Sequence, residues 1–452
     1  MRIIVAGCGK IGAAILSSLV SEGHEVLAMD RNPEVNSELT NIYDVMGAAG
    51  NCADCETLQE AGIDKTDLFV AATDSDETNM LACFLANRMG AKHTIARIRN
   101  PEYNDNSLGF MCGELGLSMS INPEQMAAKE LYNILQLPSA VKIQKFSHHR
   151  FEMIEVVLKP DSELDGRKLI EMRLRSQAKF LVCTVQRGDE IFIPDGSFVL
   201  RSGDKIGVTA APAEMQKLLK ELGILQKQAR SVMILGGSRT AFYLAKSLSA
   251  AGTPVKIIER DGALCEELCD MLPKAVIIHG DGAHQELLLE EGIRDTDAFV
   301  ALTGMDEENI LISIFAASQN VPKVISKITR DELEPLAAKL GLDTLVSPRR
   351  IVSDVLVRYA RALQNSLGSH VEMMYHLADG KAEALEFTVS ADFPRTGVPL
   401  KTMQMRRGIL IAGIVRGRTA IIPSGDDVIT AGDKVIVIAA NQRLSDLADI
   451  LR

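Results

Sequence analysis

No apolar run in this 452-residue sequence is long enough to suggest a membrane span. The longest stretches, such as 310–318 and 435–440, fall well short of the roughly 18 residues a spanning helix needs, so the chain is expected to be soluble. Nor is there a block of Lys and Arg. The 49 basic residues face 60 acidic ones, for a net charge of -11, which argues against nucleic acid as a partner. Met1-Arg2-Ile3-Ile4-Val5-Ala6 runs straight into a buried-strand pattern, leaving no room for a charged n-region, an apolar h-region and a cleavage site. A cytoplasmic location is the expectation.

Eight cysteines are too scattered for a disulfide framework. Cys52-Ala53-Asp54-Cys55 has the spacing of a redox or metal motif, but no second ligand pair at zinc-like spacing follows it. Cys265 and Cys269 are four apart on a helical stretch and read as packing. No metal is expected. A catalytic constellation is also lacking: no Ser/His/Asp arrangement stands out, and the one adjacent histidine pair, His148-His149, falls in a linker-like segment.

What is there is a duplication. Val26-Leu27-Ala28-Met29-Asp30-Arg31 returns as Val255-Lys256-Ile257-Ile258-Glu259-Arg260, and 259 minus 30 is 229. Thr66–Thr73 returns as Thr296–Thr303, and Gly203-Asp204-Lys205 as Gly432-Asp433-Lys434. A period this long is a duplicated pair of domains rather than a solenoid. Within each half, short apolar runs alternate with helical segments and then give way to short strands separated by Gly/Asp/Pro turns. The fold class is therefore α/β: two tandem copies of a doubly wound Rossmann-like parallel-sheet domain, each followed by a small β-rich α+β module. Four units are expected, at 1–137, 138–225, 226–364 and 365–452, with flexible joints at 137–150, 223–230 and 364–382.

Gly7-Cys8-Gly9-Lys10-Ile11-Gly12 follows a strand and opens a helix, and Asp30 ends the second strand. That context fits a dinucleotide fingerprint. Gly7 permits the tight turn, Gly9 lets the backbone approach a pyrophosphate, and Gly12 allows close helix–strand packing. Asp30, beside Arg31, is placed for ribose hydroxyls, and its charge favours NAD(H) over NADP(H). Lys10 sits where a cation can reach a terminal phosphate, so ATP or ADP fits the same pocket. Further candidates stand at later strand ends: Asn51 and Cys52, Thr73 and Asp74, Asn79, and Arg97. The second copy reads Gly236-Gly237-Ser238-Arg239-Thr240-Ala241, with Glu259 in the acidic position. A Cβ at Ser238 crowds the pyrophosphate approach, and weaker binding or another nucleotide is expected there.

The Gly loop with Asp30-Arg31, the run Thr73-Asp74-Ser75-Asp76-Glu77-Thr78-Asn79, the run Ala96-Arg97-Ile98-Arg99-Asn100-Pro101-Glu102-Tyr103 and the β-rich module together resemble the RCK domain, the regulator of potassium conductance. Two tandem copies in one chain resemble the cytosolic regulatory subunits of Trk-type bacterial potassium uptake systems. The departures are Ser238 and Ala241. The resemblance implies a non-enzymatic subunit held at the inner face of the membrane by a potassium-translocating partner of the Trk type. It implies a homo-oligomeric ring, dimer or tetramer, whose shape is biased by NAD(H) or ATP/ADP. It further implies that crossover helices pair neighbouring units and that the β-rich lobes dimerise. Two other readings are an NAD-dependent oxidoreductase, which needs a substrate domain with an acid/base near the nicotinamide, and an NADH-sensing regulator of DNA, which needs a helix-turn-helix and a basic surface. The sequence offers neither feature.

Overall fold

Strands buried on both faces need helices above and below them, and the computed structural model supplies both. It describes residues 1–452 except 104, 138, 141, 148–149, 159–161, 163, 189, 223–227, 366–370, 378–380 and 445, and except the side chains of 105–108, 365 and 371. The first N-lobe has β1 (Arg2–Ala6), α1 (Lys10–Ser21), β2 (Glu25–Asp30), α2 (Pro33–Tyr43), β3 (Met46–Ala49), α3 (Cys55–Glu60), β4 (Leu68–Ala71), α4 (Asp76–Arg88), β5 (His93–Arg97), α5 (Asp105–Leu115) and β6 (Met119–Ile121). The six strands pair in parallel in the order β3-β2-β1-β4-β5-β6. The order reverses between β1 and β4, which leaves a crevice at the strands' C-terminal ends. Ile3, Ile4, Val5, Phe69 and Val70 are fully buried in this sheet. Helix starts are set locally: the Asn32 side chain accepts from Glu34 N, with Pro33 at the first helical position of α2, and Ser75 accepts from Thr78 N at α4.

Crossover helix α6 (Pro123–Gln136) leads to the first C-lobe, made of β7 (Lys142–Phe146), β8 (Phe151–Val157), α7 (Leu169–Arg175), β9 (Phe180–Arg187), β10 (Glu190–Phe192), β11 (Lys205–Ala210) and α8 (Pro212–Glu221). Its sheet is antiparallel, in the order β10-β9-β11-β8-β7. The second half repeats the plan. Its N-lobe has β12 (Val232–Leu235), α9 (Arg239–Ala250), β13 (Val255–Glu259), α10 (Gly262–Met271), β14 (Val276–His279), α11 (Gln285–Glu290), β15 (Ala298–Ala301), α12 (Asp306–Ser318), β16 (Lys323–Lys327), α13 (Glu334–Lys339) and β17 (Leu345–Val346). Crossover helix α14 (Pro348–Asn365) then leads to β18 (Val371–Leu377), β19 (Ala382–Thr388), β20 (Ile409–Arg416), β21 (Thr419–Ile421) and β22 (Lys434–Ala440). The two sheets run β14-β13-β12-β15-β16-β17 and β18-β19-β22-β20-β21. Among the described residues no helix is long and apolar enough to cross a membrane.

Two of the expected joints contain structure. β7 lies within 137–150 and pairs antiparallel with β8, and β18 lies within 364–382 and pairs antiparallel with β19. Both are edge strands of mixed polarity, which is why they read as linkers. Residues 148–149, 223–227, 366–370 and 378–380, and with them the His148-His149 pair, lie outside the described residues.

The repeated Gly-Asp-Lys has a clear structural cause. Asp204 is fully buried and accepts from Nε and Nη2 of Arg187, one on each oxygen, at 2.7 Å, plus Arg201 N at 2.8 Å. Asp433 does the same with Arg416 at 2.9 and 2.8 Å and with Thr430 N at 2.8 Å. Each pins the turn that enters the last strand of its C-lobe.

The two halves interlock. α6 buries Ala127, Ala128, Leu131, Ile134 and Leu135 in one core with Phe242, Leu244 and Leu248 of α9, on the other half's N-lobe. α14 buries Val352, Leu356, Val357 and Ala360 in one core with Ile15, Leu16 and Leu19 of α1. The C-lobes also pack together: Phe146, Phe151 and Cys183 share a core with Leu377, Ala384 and Ile436. Ser147 donates its N–H and its hydroxyl to the buried Glu386 carboxylate at 2.8 and 3.0 Å. The pairing of crossover helices and of β-rich lobes is thus made within one chain.

Asp204→Asn keeps the shape and removes the charge that Arg187 needs. Its expected cost is about 1.5–3 kcal/mol, confined to the first C-lobe. Faster amide exchange along β11 with β22 unchanged is the expected readout.

Candidate nucleotide-binding clefts

The loop after β1 opens at the topological switch point of the first sheet. Gly7 has φ +82°, and a Cβ there would stand 2.5 Å from Thr73 N; a Cβ on Gly12 would stand 1.9 Å from Gly7 O. These two glycines let the loop fold back on itself and on the loop after β4. Gly9 is different: a Cβ there meets nothing within 4 Å. It caps α1 without any side-chain hydrogen bond to the first turn, so the helix N-terminus keeps free donors and positive potential for an anion. Lys10 and Arg31 are exposed beside it, and Ile11 is partly buried.

Asp30 is more than a ribose acceptor. Its Oδ2 accepts Cys8 N at 2.7 Å and its Oδ1 accepts Asn32 N at 2.9 Å, so it builds the loop and retains a second lone pair on each oxygen. The second copy repeats this, with Glu259 accepting Gly237 N at 2.5 Å and Asp261 N at 2.8 Å.

Three candidate residues have side chains that brace the loops or pack in the core. Asn79 is fully buried. Its Oδ1 accepts Thr73 N and the Thr73 hydroxyl, and its Nδ2 donates to Thr73 O and Arg97 O. It ties the loop after β4 to the end of β5, and Asn309 does the same for Thr303 and Lys327. Cys52 packs its thiol into the core under the sheet, where burial pushes its pKa up. Cys55 is exposed at the start of α3, so the two sulfurs have different surroundings. Cys8 is buried too, its thiol pushed up to about 12 by burial and by Asp30; its backbone alone serves the loop. Asn51 is exposed and turns its amide oxygen to Ala53 N. Asp74 is exposed, and its carbonyl accepts Arg99 Nη2 at 2.6 Å.

The second cleft is lined by Gly236–Ser238, Glu259, Asp281, Thr303 and Glu308. Ser238 turns its hydroxyl onto Ala241 N at 3.4 Å, so it caps α9 with its own side chain and takes up one donor that Gly9 leaves free. Thr240 and Ala241 are buried. Glu308 lines this cleft at the position of Thr78 in the first, adding a negative charge.

The seam between the halves gathers charge that no local motif predicted. Arg97 Nη2 lies 3.6 Å from Glu124 Oε1 at the start of α6, both side chains being largely buried. Arg97 Nε and Glu124 Oε2 have no hydrogen-bond partner among the described residues. Burial, then Arg99, lowers the proton affinity of Arg97, and Arg239 from the second loop adds to this. On the other side, burial lowers that of Lys327, whose charge feels both Glu124 and Lys10 of the first loop. Tyr243 of α9 closes the seam by donating to Arg99 O at 3.2 Å and accepting from Asn122 Nδ2 at 3.1 Å. Arg239 thus meets the field of the first copy's Arg97, and Lys10 that of the second copy's Lys327. Glu124 escaped notice because its relevance depends on α6 crossing to the other half.

The TrkA-N domain family matches residues 3–111 and again 232–348, and the TrkA-C domain family matches 153–223 and 384–452. The chain belongs to the TrkA family. It is 31% identical over 455 residues, 99% of each chain, to the Trk system potassium uptake protein TrkA homolog 1 of Methanosarcina mazei. It is 29% identical over 449 residues, 98% of this chain and 96% of the relative, to the Trk system potassium uptake protein TrkA of Vibrio alginolyticus. In fold it is similar to the GsuK RCK domain, at TM-score 0.63 and 15% identity over 97% of this chain and 92% of that one. It is equally similar to the GsuK channel bound to NAD, at TM-score 0.63 over 97% and 76%.

Two glycines of this TrkA-family loop make opposite predictions. Gly9→Val adds atoms to open space, so melting is expected to be unchanged while first-cleft nucleotide affinity falls at least about 100-fold, or about 2.8 kcal/mol. Gly12→Ala drives a Cβ into Gly7 O and is expected to cost about 1–3 kcal/mol of stability. Calorimetric titration alongside thermal melting separates the two.

Proposed function

We propose that the chain is the nucleotide-responsive regulatory subunit of a Trk-type potassium uptake system, acting on a membrane potassium-translocating partner without catalysing a reaction. Its units are read as 1–137, 138–225, 226–364 and 365–452. NAD(H) and ATP or ADP are the ligands that fit the first cleft: Gly7–Gly12 would cradle the phosphates, Asp30 would hold the ribose, and Lys10 would reach a terminal phosphate. Gly236–Thr240 and Glu259 form the lesser cleft.

The seam is the observation that carries this reading. Arg97 and Glu124 of the first half stand 3.6 Å apart, each with a buried polar atom that has no hydrogen-bond partner among the described residues, and Tyr243 of the second half donates to the main chain of Arg99 beside them. A phosphate in the first cleft would approach the cations of a seam that both halves build. A ligand moves an equilibrium only by its differential affinity for two shapes, and a cleft walled by both halves is where that difference would arise.

Ring formation has support in the surface. Leu81 and Phe110 on α4 and α5 are exposed, Phe110 by 71%, and Leu311 on α12, Leu336 on α13 and Leu340 just after it lie exposed at the corresponding places. The same apolar face therefore recurs once per half chain, which gives each chain two like patches for contact with neighbouring chains.

Rubidium uptake in cells deleted for this chain tests the function. Wild type is expected to restore uptake and Gly9→Val to leave it misregulated; uptake that never depends on the chain overturns the proposal. Phe110→Glu combined with Leu311→Glu is expected to reduce the assembly to single chains in light scattering, with melting of the chain preserved.

A further inference from the structure

Helix α1 starts at the first nucleotide loop and ends at Glu22, its C-cap. The Glu22 carboxylate is buried and lies 2.5 Å from Nε of Arg361 on α14. Arg361 gives its other edge to Glu383 on β19, with Nη1 at 3.0 Å and Nη2 at 2.8 Å. Arg443, in the chain after β22, adds a contact to Glu22 at 3.6 Å and donates to Ser21 O at 2.6 Å. His376 on β18 completes the group, with Nδ1 3.0 Å from Asp354 of α14 and Nε2 3.8 Å from Glu383. His24, beside Glu22, is buried with both ring nitrogens lacking a hydrogen-bond partner among the described residues, and burial lowers its pKa. Glu22, His376 and Glu383 have donor atoms close enough for a metal ion, but Arg361 bonds both carboxylates and, with Arg443, sets two positive charges against their two negative ones.

Among the described residues the Glu22–Arg361–Glu383 bridge has no counterpart built from the same residue types in the other half. Ala251 caps α9 where Glu22 caps α1. Gln136 stands at the α6 position that Arg361 holds on α14, thirteen residues after the first helical proline in each case. Lys145 stands opposite Glu152 where His376 stands opposite Glu383. The apolar core shows the same asymmetry independently. One cluster runs from Ile3 and Leu19 through Leu356 and Val357 to Phe387, Val437 and Ile450. In the other half, the core of the second N-lobe with α6 and the core of the first C-lobe are separate clusters.

We propose that Glu22 and Arg361 make the first nucleotide cleft the one that the second C-lobe reads. Ligand at Gly7–Gly12 shifts or stiffens α1, a rod of about 18 Å, and the Glu22–Arg361–Glu383 bridge carries that change into β19. Ala251 and Gln136 cannot form the equivalent ion pair between the second cleft's helix and the first C-lobe. The inference rests on the nucleotide-binding reading above, and Glu22 and Arg361 act as positioning residues that touch no ligand. Contiguity alone does not establish coupling, so the test measures coupling directly.

The full-length chain is titrated with NADH and with ATP by calorimetry, and amide exchange is followed with and without each. In wild type, saturating ligand is expected to change exchange at 383–388 and 434–440 and to leave 152–157 and 205–210 unchanged. Glu22→Gln is expected to keep first-cleft affinity within about threefold while removing at least about half of the change in the second C-lobe, and Glu22→Asp to restore part of it. Should Glu22→Gln fold poorly, Arg361→Lys, which keeps the charge but loses the two-edged contact, gives the same reading. Equal responses in both C-lobes, or a full response in these variants, overturns the coupling proposal. Absence of binding by either nucleotide overturns the nucleotide reading and the coupling with it.

Discussion

The structure depends on one exchange: each crossover helix buries its apolar stripe against the other half's N-lobe. Leu131, Ile134 and Leu135 of α6 lie under α9, and Val352, Leu356 and Val357 of α14 lie under α1. A fully buried side chain of this kind contributes about 1.5–3 kcal/mol relative to exposure. Neither half satisfies its own helix, so each half supplies the other's core. The two crossover helices also touch each other, and beyond them the C-lobes share the core around Phe146, Phe151 and Ile436.

That exchange also decides where the clefts lie. With α6 crossing over, Glu124 at its first turn is carried to the boundary between the Gly loops, where it meets Arg97 on one side and the field of Lys327 on the other. Tyr243, a helix residue of the second half, ends up hydrogen-bonded to the main chain of Arg99 in the first. Charged side chains of the two loops therefore share one boundary, where each half's cations lie in the field of the other's. Salt is expected to weaken such a seam less than a surface pair, since Arg97 and Glu124 are mostly shielded from solvent.

Much of this was legible in the residues, for reasons that mark the limits of such reading. The parallel sheets were visible because buried strands give continuous apolar runs, and the Gly7–Gly12 loop because tight turns and close approaches leave few residue choices. β7 and β18 were missed because an edge strand of mixed polarity looks like a linker until its partner is known. Asn79 was visible through its recurrence as Asn309, but its partners were not: its amide ties Thr73 to Arg97 O, a contact between strand ends that sequence position does not show. Cys52 stood at the right strand end with its thiol in the core, a distinction that sequence position does not make. The seam was hidden because it is built across more than a hundred residues.

Covalent duplication gives this architecture a freedom that a dimer of single units lacks. In a symmetric dimer every substitution appears twice, so a serine that caps one helix would cap both. Here Gly9 keeps its helix end open while Ser238 closes the other with its own hydroxyl, and Glu22 bridges α1 to α14 where Ala251 offers nothing to α6. The two changes fall on opposite ends of corresponding helices and point the same way: the open cleft is the one joined by charge and by continuous apolar core to a C-lobe. Two copies joined in one chain can thus diverge at both ends of the same helix, which two identical subunits cannot do.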